Sequence, residues 1–444
     1  MKKIIAMLLL VAMLFTLAAC GGGEAAPAAS AAASGSAAAA DQPYAGTSIR
    51  VILASHDWTT AVEGRLAEFE EATGIDIQFE VYPEDQLSTK LNVELASGGQ
   101  YIDVFMCRPL QEVQQFILNG YLADTSALMA DPEFQGDDFI TAAADAYKQS
   151  GAADGKYYGV PLVTERQVLY YRKDLLEAAG VAVPTNLDEL AAAAEKLHDP
   201  ANGVVGFVGR GLANAAVTQF SAYLYAFGAD FFDFETKTAT INTPEAVEAF
   251  TYYGNLLKNS GPDGALNMHW QQAAAIYSTG GAAFCTDADS IWQSFCGPET
   301  DIAENAGFAV SPNNSTWNIC SWGLGVSAGS KNQAAAMEFV KWAAGVEMTK
   351  YIQTSGISSA RNSAWNDPEC TKNYPAELLA AIQTGNEIAT KSYDRPLITS
   401  VSAARDVIGS VITTAIEGGD VQAAADKANE EFQAILDSDF APAE

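Results

Sequence analysis

Hydrophobic positions in the first quarter of the chain switch regularly between the period of a strand and the period of a helix. The segments are "IRVILA" (49–54), "TTAVEGRLAEFEEATG" (59–74), "IDIQFEV" (75–81), "EDQLSTKLNVELASGG" (84–99) and "YIDVFM" (101–106). The first, third and fifth read as strands, whereas the second and fourth repeat apolar residues every three or four positions. This order predicts an open, mostly parallel sheet with helices on both faces.

Local signals mark the ends of several predicted helices. Thr60 and Glu63 have the spacing of a capping box, which predicts a helix that begins at Thr60, and Gly74 predicts its end. Thr243 followed by Pro244 predicts the start of another helix, because threonine caps well and proline suits the first turn.

The same alternation returns in the second half of the chain. Its segments are "VLYYRKDLLEAAG" (168–180), "LDELAAAAEKLH" (187–198), "VVGFVG" (204–209) and "AVTQFSAYLYAFG" (216–228). A second α/β lobe is therefore predicted.

The first residues look like an export signal. Lys2 and Lys3 precede an apolar run that is too short to span a membrane comfortably and that ends in Leu-Ala-Ala-Cys20. This arrangement resembles the bacterial lipobox, in which the signal is cut before a cysteine that receives a lipid. We therefore predict a signal peptide at 1–19, lipidation of Cys20 and a flexible Ala/Gly/Ser tether at 20–46.

Composition narrows the classes of function. About 400 residues remain after the tether, enough for two lobes. A net charge of −31 disfavours nucleic acid as a partner. Five cysteines beyond Cys20 and three histidines, without any Cys-x-x-Cys, offer little for a structural metal. We expect buried free thiols, no metal and no cofactor.

Polar side chains follow the predicted strands, where open α/β sheets bind ligands. Two groups lie in the first half of the chain, His56-Asp57-Trp58 and Arg108, and two in the second, Arg210 and Asp287 with Asp289. Asp287 and Asp289 would lie about 6.6 Å apart on an extended segment, which is within the range of glycosidase carboxyl pairs. A polyol-binding pair fits the same spacing, so both interpretations stay open.

The chain as a whole resembles family 1 of the bacterial extracellular solute-binding proteins, the receptors of ABC importers. The resemblance covers nearly the whole mature chain and rests on the lipobox, "VILASHDWTTAVEGRLAEFEEATGIDIQFEVYPEDQLSTKLNVELASGGQYIDVFMCRP", "YYGVPLVTERQVLYYRKDLLEAAG", "GGAAFCTDADSIW" and "SWGLGVSAGSKNQAAAMEFVKWAAGVEMTKYIQTSGISSARNSAW". "TDADS", the "SW-LG-S" pattern and "YDRP" resemble the branch associated with sugar alcohols and small sugars. This chain lacks the aromatic residue that relatives often carry at position 166.

The resemblance implies two α/β lobes of the periplasmic-binding-protein type with a ligand cleft between them. The first lobe would comprise 47–162 and 311–365, the second 163–310 and 366–438, with hinges near Pro161 and Ser311 and a tail at 439–444. The chain would capture a monosaccharide, a sugar alcohol or a short oligosaccharide by closing the lobes, and would deliver it to membrane permease subunits. It would act outside the cytoplasm, as a lipid-anchored monomer without catalytic residues.

Hydroxyl-rich ligands need carboxylates and arginines as hydrogen-bond partners and aromatic rings as walls. The predicted ligand-binding residues are His56, Asp57, Trp58, Arg108, Glu165, Arg210, Asp287, Asp289, Trp322, Arg361 and Arg395. The leading alternative is a secreted glycoside hydrolase or lyase that uses Asp287 and Asp289. A surface lipoprotein with a purely structural role is the third interpretation.

Overall fold

The computed structural model describes residues 42–149 and 155–441. The predicted signal peptide, Cys20, most of the tether and the end of the tail lie outside these residues. The strands are β1 (Thr47–Ala54), β2 (Ile75–Tyr82), β3 (Val104–Cys107), β4 (Val160–Arg172), β5 (Val205–Val208), β6 (Phe232–Asp233), β7 (Thr238–Ala239), β8 (Ala282–Ala288), β9 (Ala306–Val310) and β10 (Asn318–Val326).

Helices fill most of the intervals between the strands. They are α1 (Asp57–Glu63), α2 (Leu66–Thr73), α3 (Glu84–Ala96), α4 (Gln114–Leu118), α5 (Ser126–Met129), α6 (Thr141–Asp145), α7 (Lys173–Ala179), α8 (Leu187–Leu197), α9 (Ala213–Ala226), α10 (Pro244–Ser260), α11 (Trp270–Ser278), α12 (Trp292–Cys296), α13 (Gln333–Ala343), α14 (Val346–Thr354), α15 (Asn362–Trp365), α16 (Pro368–Thr371), α17 (Ala376–Ile388), α18 (Val401–Glu417) and α19 (Val421–Asp439). A π-helical turn lies at Pro109–Val113, and 3₁₀ turns lie at Gly136–Asp138, Pro200–Asn202, Ala265–Asn267, Asp289–Ile291 and Pro312–Asn314.

The first helix differs from its prediction. It begins at Asp57 rather than Thr60, because the Nδ1 atom of His56 accepts the backbone N–H of Trp58 at 3.0 Å and caps the helix there. The single helix predicted over 59–74 is divided into α1 and α2, and Gly74 ends the second of them in the left-handed conformation, with φ 77°. Thr243 caps α10 as predicted, and its hydroxyl accepts the N–H of Ala246.

Eight strands form one sheet that runs through the molecule. Its order is β2-β1-β3-β10-β4-β8-β5, and β9 pairs with β4. Strands β1, β2 and β3 are mutually parallel, and β5 is parallel to β8. The long strands β4 and β10 lie side by side and antiparallel at the centre. The mixed α/β fold thus has one parallel group of strands on each side of a central antiparallel pair.

Three hydrophobic clusters lie along this sheet. The first draws its residues from Ile49 to Val163 and from Cys320 to Ala360. The other two draw theirs from Val168 to Ile319 and from Tyr374 to Leu436. We call the part around the first cluster lobe 1 and the part around the other two lobe 2. Strands β4 and β10 both cross from one lobe to the other, so the lobes are joined by adjacent strands.

Both ends of the described chain pack on this fold. Residues 42–46, the end of the predicted tether, form a turn in which the Tyr44 N–H bonds the Thr73 carbonyl at 3.1 Å. At the other end α19 continues through Asp439, the first residue of the predicted tail, whose carboxylate accepts the Thr399 N–H at 2.8 Å. Within residues 42–149 and 155–441, no helix combines the length and the apolarity that a membrane crossing requires.

The five cysteines of the described residues are all buried free thiols, at 107, 285, 296, 320 and 370. Burial raises the pKa of each thiol, which keeps it protonated and inert. Cys285 and Cys296 do not form a disulfide bridge. The described residues also contain no group of three or more His, Cys, Asp and Glu residues arranged for a metal ion.

Candidate ligand-binding site

A cavity of about 40 Å³ lies between residues of the two lobes. Its lining is His56, Glu84, Arg108, Glu165, Arg210, Thr218, Trp270, Ala288, Ile291, Ser321, Trp322, Arg395 and Arg405. Most of these side chains are polar or charged, and two are indoles. An enclosed, polar cavity with aromatic surfaces suits a small ligand that has many hydrogen-bonding groups.

The carboxyl ends of four strands supply much of this lining. His56 follows β1, Glu84 follows β2, Arg108 follows β3 and Arg210 follows β5. Each side chain leaves its strand where the chain turns toward the next helix. The strand-end rule therefore holds in both lobes, and the two groups face one cavity.

Glu84 connects the two lobes at the edge of the cavity. Its carboxylate accepts hydrogen bonds from Trp270 Nε1 at 3.0 Å and from Arg108 Nη1 at 3.1 Å. Burial opposes ionisation, but the nearby His269, Arg108 and Arg210 outweigh it and lower the pKa of Glu84 to about 2. Arg108 also donates to Glu112, so two carboxylates neutralise this arginine.

Glu165 lies on β4, at the crossing between the lobes. Its Oε1 atom accepts the Ser290 hydroxyl at 2.6 Å, and the Ser321 hydroxyl also interacts with the carboxyl group. Burial, with a contribution from the negative charge of Asp289, raises the pKa of Glu165 to about 7. This carboxyl group can therefore either accept or donate a ligand hydrogen bond near neutral pH.

Arg210 is held from behind by Asp287. Asp287 is fully buried, and its carboxylate accepts hydrogen bonds from Arg210 Nε at 3.2 Å and from Arg210 Nη2 at 2.7 Å. Such a bidentate pair fixes the plane of the guanidinium. The Nη1 atom of Arg210 has no hydrogen-bond partner in residues 42–149 or 155–441 and remains available to a ligand.

His56 and Trp322 form one wall of the cavity. Their ring centroids lie 6.2 Å apart in an edge arrangement, and the Arg108 guanidinium lies 5.2 Å from the Trp322 ring. Burial lowers the pKa of His56, so its ring is neutral, and Nδ1 already accepts a backbone N–H. The proton therefore resides on Nε2, which is buried and has no partner in the described chain. This N–H is a donor prepared for a ligand.

Six of the predicted site residues line the cavity, and five do not. The six are His56, Arg108, Glu165, Arg210, Trp322 and Arg395. The other five are Asp57, Trp58, Asp287, Asp289 and Arg361. Each of these five has a different partner in the structure.

Asp57 and Trp58 follow His56 but turn away from the cavity because α1 begins there. Asp57 accepts the Ser294 hydroxyl at 3.2 Å, and Trp58 is 1% exposed in the core of lobe 1. Arg361 is also fully buried in lobe 1, where its guanidinium lies 3.8 Å from the Phe139 ring and donates to backbone carbonyls.

Asp289 is fully buried and pairs with Arg166. Its carboxylate accepts hydrogen bonds from the Arg166 backbone N–H at 2.6 Å, from Arg166 Nη2 at 2.7 Å and from the Ser358 hydroxyl at 2.8 Å. Asp287 is committed to Arg210 in a similar way. Each of the two carboxylates is paired with an arginine, and neither lines the cavity. The pair therefore does not support the glycosidase interpretation.

Sequence reasoning missed several residues that line the cavity. These are Glu84, Thr218, Trp270, Ser321 and Arg405. Glu84 follows β2, so the strand-end rule could have found it. Arg405 lies within the long helix α18, where only the tertiary packing brings it to the cavity.

The raised pKa of Glu165 predicts a pH effect on stability. Below about pH 4.5 the carboxyl is protonated in both states, and as pH rises to about 7 only the unfolded state ionises. The contribution of Glu165 to the free energy of unfolding should therefore fall over this range, by roughly 1–3 kcal/mol. Denaturant titrations at pH 5 and 7.5 measure how the free energy of unfolding changes between these pH values. That free energy should fall less, or rise more, in Glu165→Gln than in wild type.

The comparison between variants is needed because other buried groups titrate in the same window. Burial lowers the pKa of His56 and His269, which makes stability rise with pH up to about 6.5. The exposed Glu299 provides the control, and Glu299→Gln should follow the wild-type pH profile. An identical pH profile in Glu165→Gln and wild type would show that Glu165 does not titrate as described.

Two α/β lobes with a polar, aromatic-walled cavity between them define a binding protein of the periplasmic type. The chain belongs to the bacterial extracellular solute-binding protein family, whose model matches residues 56–350. The family assignment agrees with the resemblance noted from the sequence, and it places the protein among solute receptors that work outside the cytoplasm.

Several similar proteins are known. A mannitol-binding protein of Pseudomonas aeruginosa is 29% identical over 330 residues, which cover 70% of this chain and 71% of that protein. An erythritol/L-threitol-binding protein of Mycolicibacterium smegmatis is 26% identical over 335 residues, 70% of each chain. An ABC transporter solute-binding protein of Agrobacterium radiobacter K84, crystallised with ribitol, has a TM-score of 0.79 and 25% identity, and the match covers 88% of this chain and 99% of that one.

Proposed function

We propose that this protein captures a small polyhydroxylated compound, a sugar alcohol or a monosaccharide, and presents it to the permease of an ABC importer. The observation that carries the proposal is a pair of unused donors at one cavity, His56 Nε2 and Arg210 Nη1, with the Glu165 carboxyl group also in the lining. The relatives named for mannitol and for erythritol and threitol, and the ribitol complex, support the same ligand class.

The chemistry of the lining matches such a ligand. Each hydroxyl of a polyol both donates and accepts, and arginine and carboxylate side chains serve these two needs. The Trp322 and Trp270 rings can cover the C–H surface of the carbon chain. A cavity of about 40 Å³ has no room for an oligosaccharide in this arrangement, and a polyol would need the lobes to open in order to enter.

We propose that ligand capture involves hinge closure about β4 and β10. The proposed lobe boundaries are 47–162 with 311–365 and 163–310 with 366–438. The change of hydrophobic cluster falls between Val163 and Val168 in β4 and between Ile319 and Cys320 in β10. The predicted hinge at Pro161 lies beside this change, and the one at Ser311 lies before β10 begins. Hydrogen bonds from Trp270 to Glu84 and from Ser294 to Asp57 would hold the closed form.

A thermal-shift screen with alditols, monosaccharides and short oligosaccharides tests the proposed function. A true ligand at 100 times its dissociation constant should stabilise the folded chain by about 2.7 kcal/mol. The active compound should be recovered chemically unchanged after overnight incubation, because we propose a receptor and not an enzyme. Absence of a shift throughout the panel, or cleavage or isomerisation of the bound compound, would contradict the proposal.

We further propose that the protein is a lipid-anchored monomer, attached through Cys20. Replacing Cys20 by alanine should move the exported protein from the membrane fraction to the soluble fraction or leave its signal peptide uncut. The measurement is fractionation of cells that carry the full-length chain, with Cys370→Ala as a control that keeps the N-terminal cysteine. Continued membrane retention of the processed Cys20→Ala protein would contradict the anchor.

A further inference from the structure

Two buried arginines converge at one end of the cavity. Arg395 and Arg405 are 7% and 4% exposed, and the Nη1 atom of each donates to Gln111 Oε1 at 2.9 Å. Their Nη2 atoms also share the Thr218 hydroxyl oxygen, at 3.2 and 3.5 Å. Two cations therefore meet on neutral oxygen atoms, an arrangement that is costly unless a negative charge is added.

Only one carboxylate of the described chain bonds directly to this pair. Asp394 binds the Nε and Nη2 atoms of Arg395. Arg405 directs its Nε and Nη2 atoms to the carbonyl of Asn214 and forms no ion pair with any residue in 42–149 or 155–441. Asp394 thus pairs with one of the two arginines, and Arg405 is left without a direct carboxylate partner.

The environment of Arg405 differs from that of the other arginines in the cavity. Burial and the like charges of Arg395 and Arg108 lower the pKa of Arg405 to about 9, although the nearby Asp394 and Glu84 oppose this shift. The other arginines are paired directly: Arg108 with two carboxylates, Arg210 with Asp287 and Arg395 with Asp394. Among the arginines that line the cavity, Arg405 is thus the one that forms no direct ion pair with the described chain.

Both arginines keep donors for a ligand. A guanidinium has two N–H groups on Nη1, and in Arg395 and Arg405 the protein uses one of them, for Gln111. Both residues line the cavity. One spare N–H from each guanidinium, side by side, matches the two oxygens of a carboxylate.

We propose that the physiological ligand is a sugar acid, a polyhydroxylated chain that ends in a carboxylate bound between Arg395 and Arg405. This inference rests on the proposed function and narrows its ligand class. The hydroxyls lie toward Glu165 and Arg210, and the carboxylate gives Arg405 the direct anionic partner that the described chain does not supply. One arginine without a direct partner matches a carboxylate rather than a phosphate ester, which carries more negative charge at neutral pH.

The test is calorimetry of the wild-type chain with matched ligands: erythritol, ribitol and mannitol against erythronate, ribonate and mannonate, with the corresponding terminal phosphates as a third group. At least one carboxylate should bind about tenfold or more tightly than the alditol of the same length, with an affinity that falls as salt is raised. Tightest binding by a phosphate, or by a neutral alditol, would overturn the inference.

Variants separate this inference from the proposed function. Arg405→Gln should weaken carboxylate binding about tenfold to hundredfold more than it weakens binding of the alditol of the same length. Arg50→Gln, which removes a surface ion pair with Glu80 and Glu94, should change neither affinity. Equal losses for both ligands in Arg405→Gln would overturn the inference. If Arg405→Gln does not fold, the wild-type preference decides alone.

The two proposals fail in distinguishable ways. Binding of alditols without any preference for their acids overturns the carboxylate subsite and leaves the proposed function standing. Binding of none of the three groups overturns the carboxylate subsite, and it overturns the proposed function as well if the monosaccharides of the thermal-shift screen also fail to bind.

Discussion

Asp289→Ala is expected to lower the free energy of unfolding by about 3–5 kcal/mol, because it leaves a buried guanidinium without its counter-ion. Arg166 is 1% exposed, and Asp289 is the carboxylate with which it forms an ion pair in the described chain. The substitution also removes the acceptor of the Arg166 backbone N–H and of the Ser358 hydroxyl. Urea denaturation followed by tryptophan fluorescence measures the change.

The control for this prediction is an ion pair on the surface. Glu369 and Lys372 lie one helical turn apart and are largely exposed, so Glu369→Ala should leave the unfolding transition almost unchanged. The result also separates a structural from a catalytic role, since removal of a catalytic carboxylate would abolish turnover without a comparable loss of stability. Wild-type stability in Asp289→Ala would contradict the buried pair described here.

Trp322→Ala should weaken ligand binding roughly thirtyfold or more, the loss expected for an aromatic residue at the centre of a desolvated site. Trp322 is 4% exposed and lines the cavity between His56 and Arg108. Its removal opens the wall that covers the apolar face of the ligand and leaves the Arg108 guanidinium without its ring contact. Calorimetry with the compound found in the thermal screen measures the loss.

Two control variants test whether the loss of ligand affinity arises at the cavity. Trp322→Phe keeps an aromatic surface and should recover most of the affinity. Trp365→Phe changes an indole that packs against the third hydrophobic cluster, in lobe 2, and does not line the cavity, so this variant should bind as wild type does. Unchanged affinity in a folded Trp322→Ala protein would mean that the ligand binds elsewhere.

Much of the fold follows from local pattern. The strands and helices around residues 49–106 and 168–228 were predicted in the correct order, because apolar periodicity and helix-end residues such as Gly74 act locally. The start of α1 was missed because His56, through its side-chain nitrogen, caps the helix before Thr60 can. A ring nitrogen in this role is not among the usual capping signals.

The site was predictable in position more than in detail. The strand-end rule located His56, Arg108 and Arg210, because the direction of a parallel strand decides which end faces the cleft. It could not tell which side chain of a loop turns inward, so Trp58 was included although α1 rotates it into the core.

The ion-pair partners of the charged residues could not be predicted from the sequence either. Asp287 and Asp289 look alike in the chain, but each binds a different arginine, Arg210 and Arg166, brought from distant segments. Arg405 carries no local signal either, since its importance depends on Arg395 lying beside it. Such contacts arise only when helices and strands that are far apart in sequence pack together.

The central claim is that one cavity between the lobes binds a small hydroxyl-rich compound, and a crystal structure of the chain with the most stabilising compound tests it most directly. We expect one ligand molecule bounded by Glu165, Arg210 and Trp322, with His56 Nε2 and Arg210 Nη1 donating to its oxygens. A ligand bound on another surface, with this cavity empty, would contradict it.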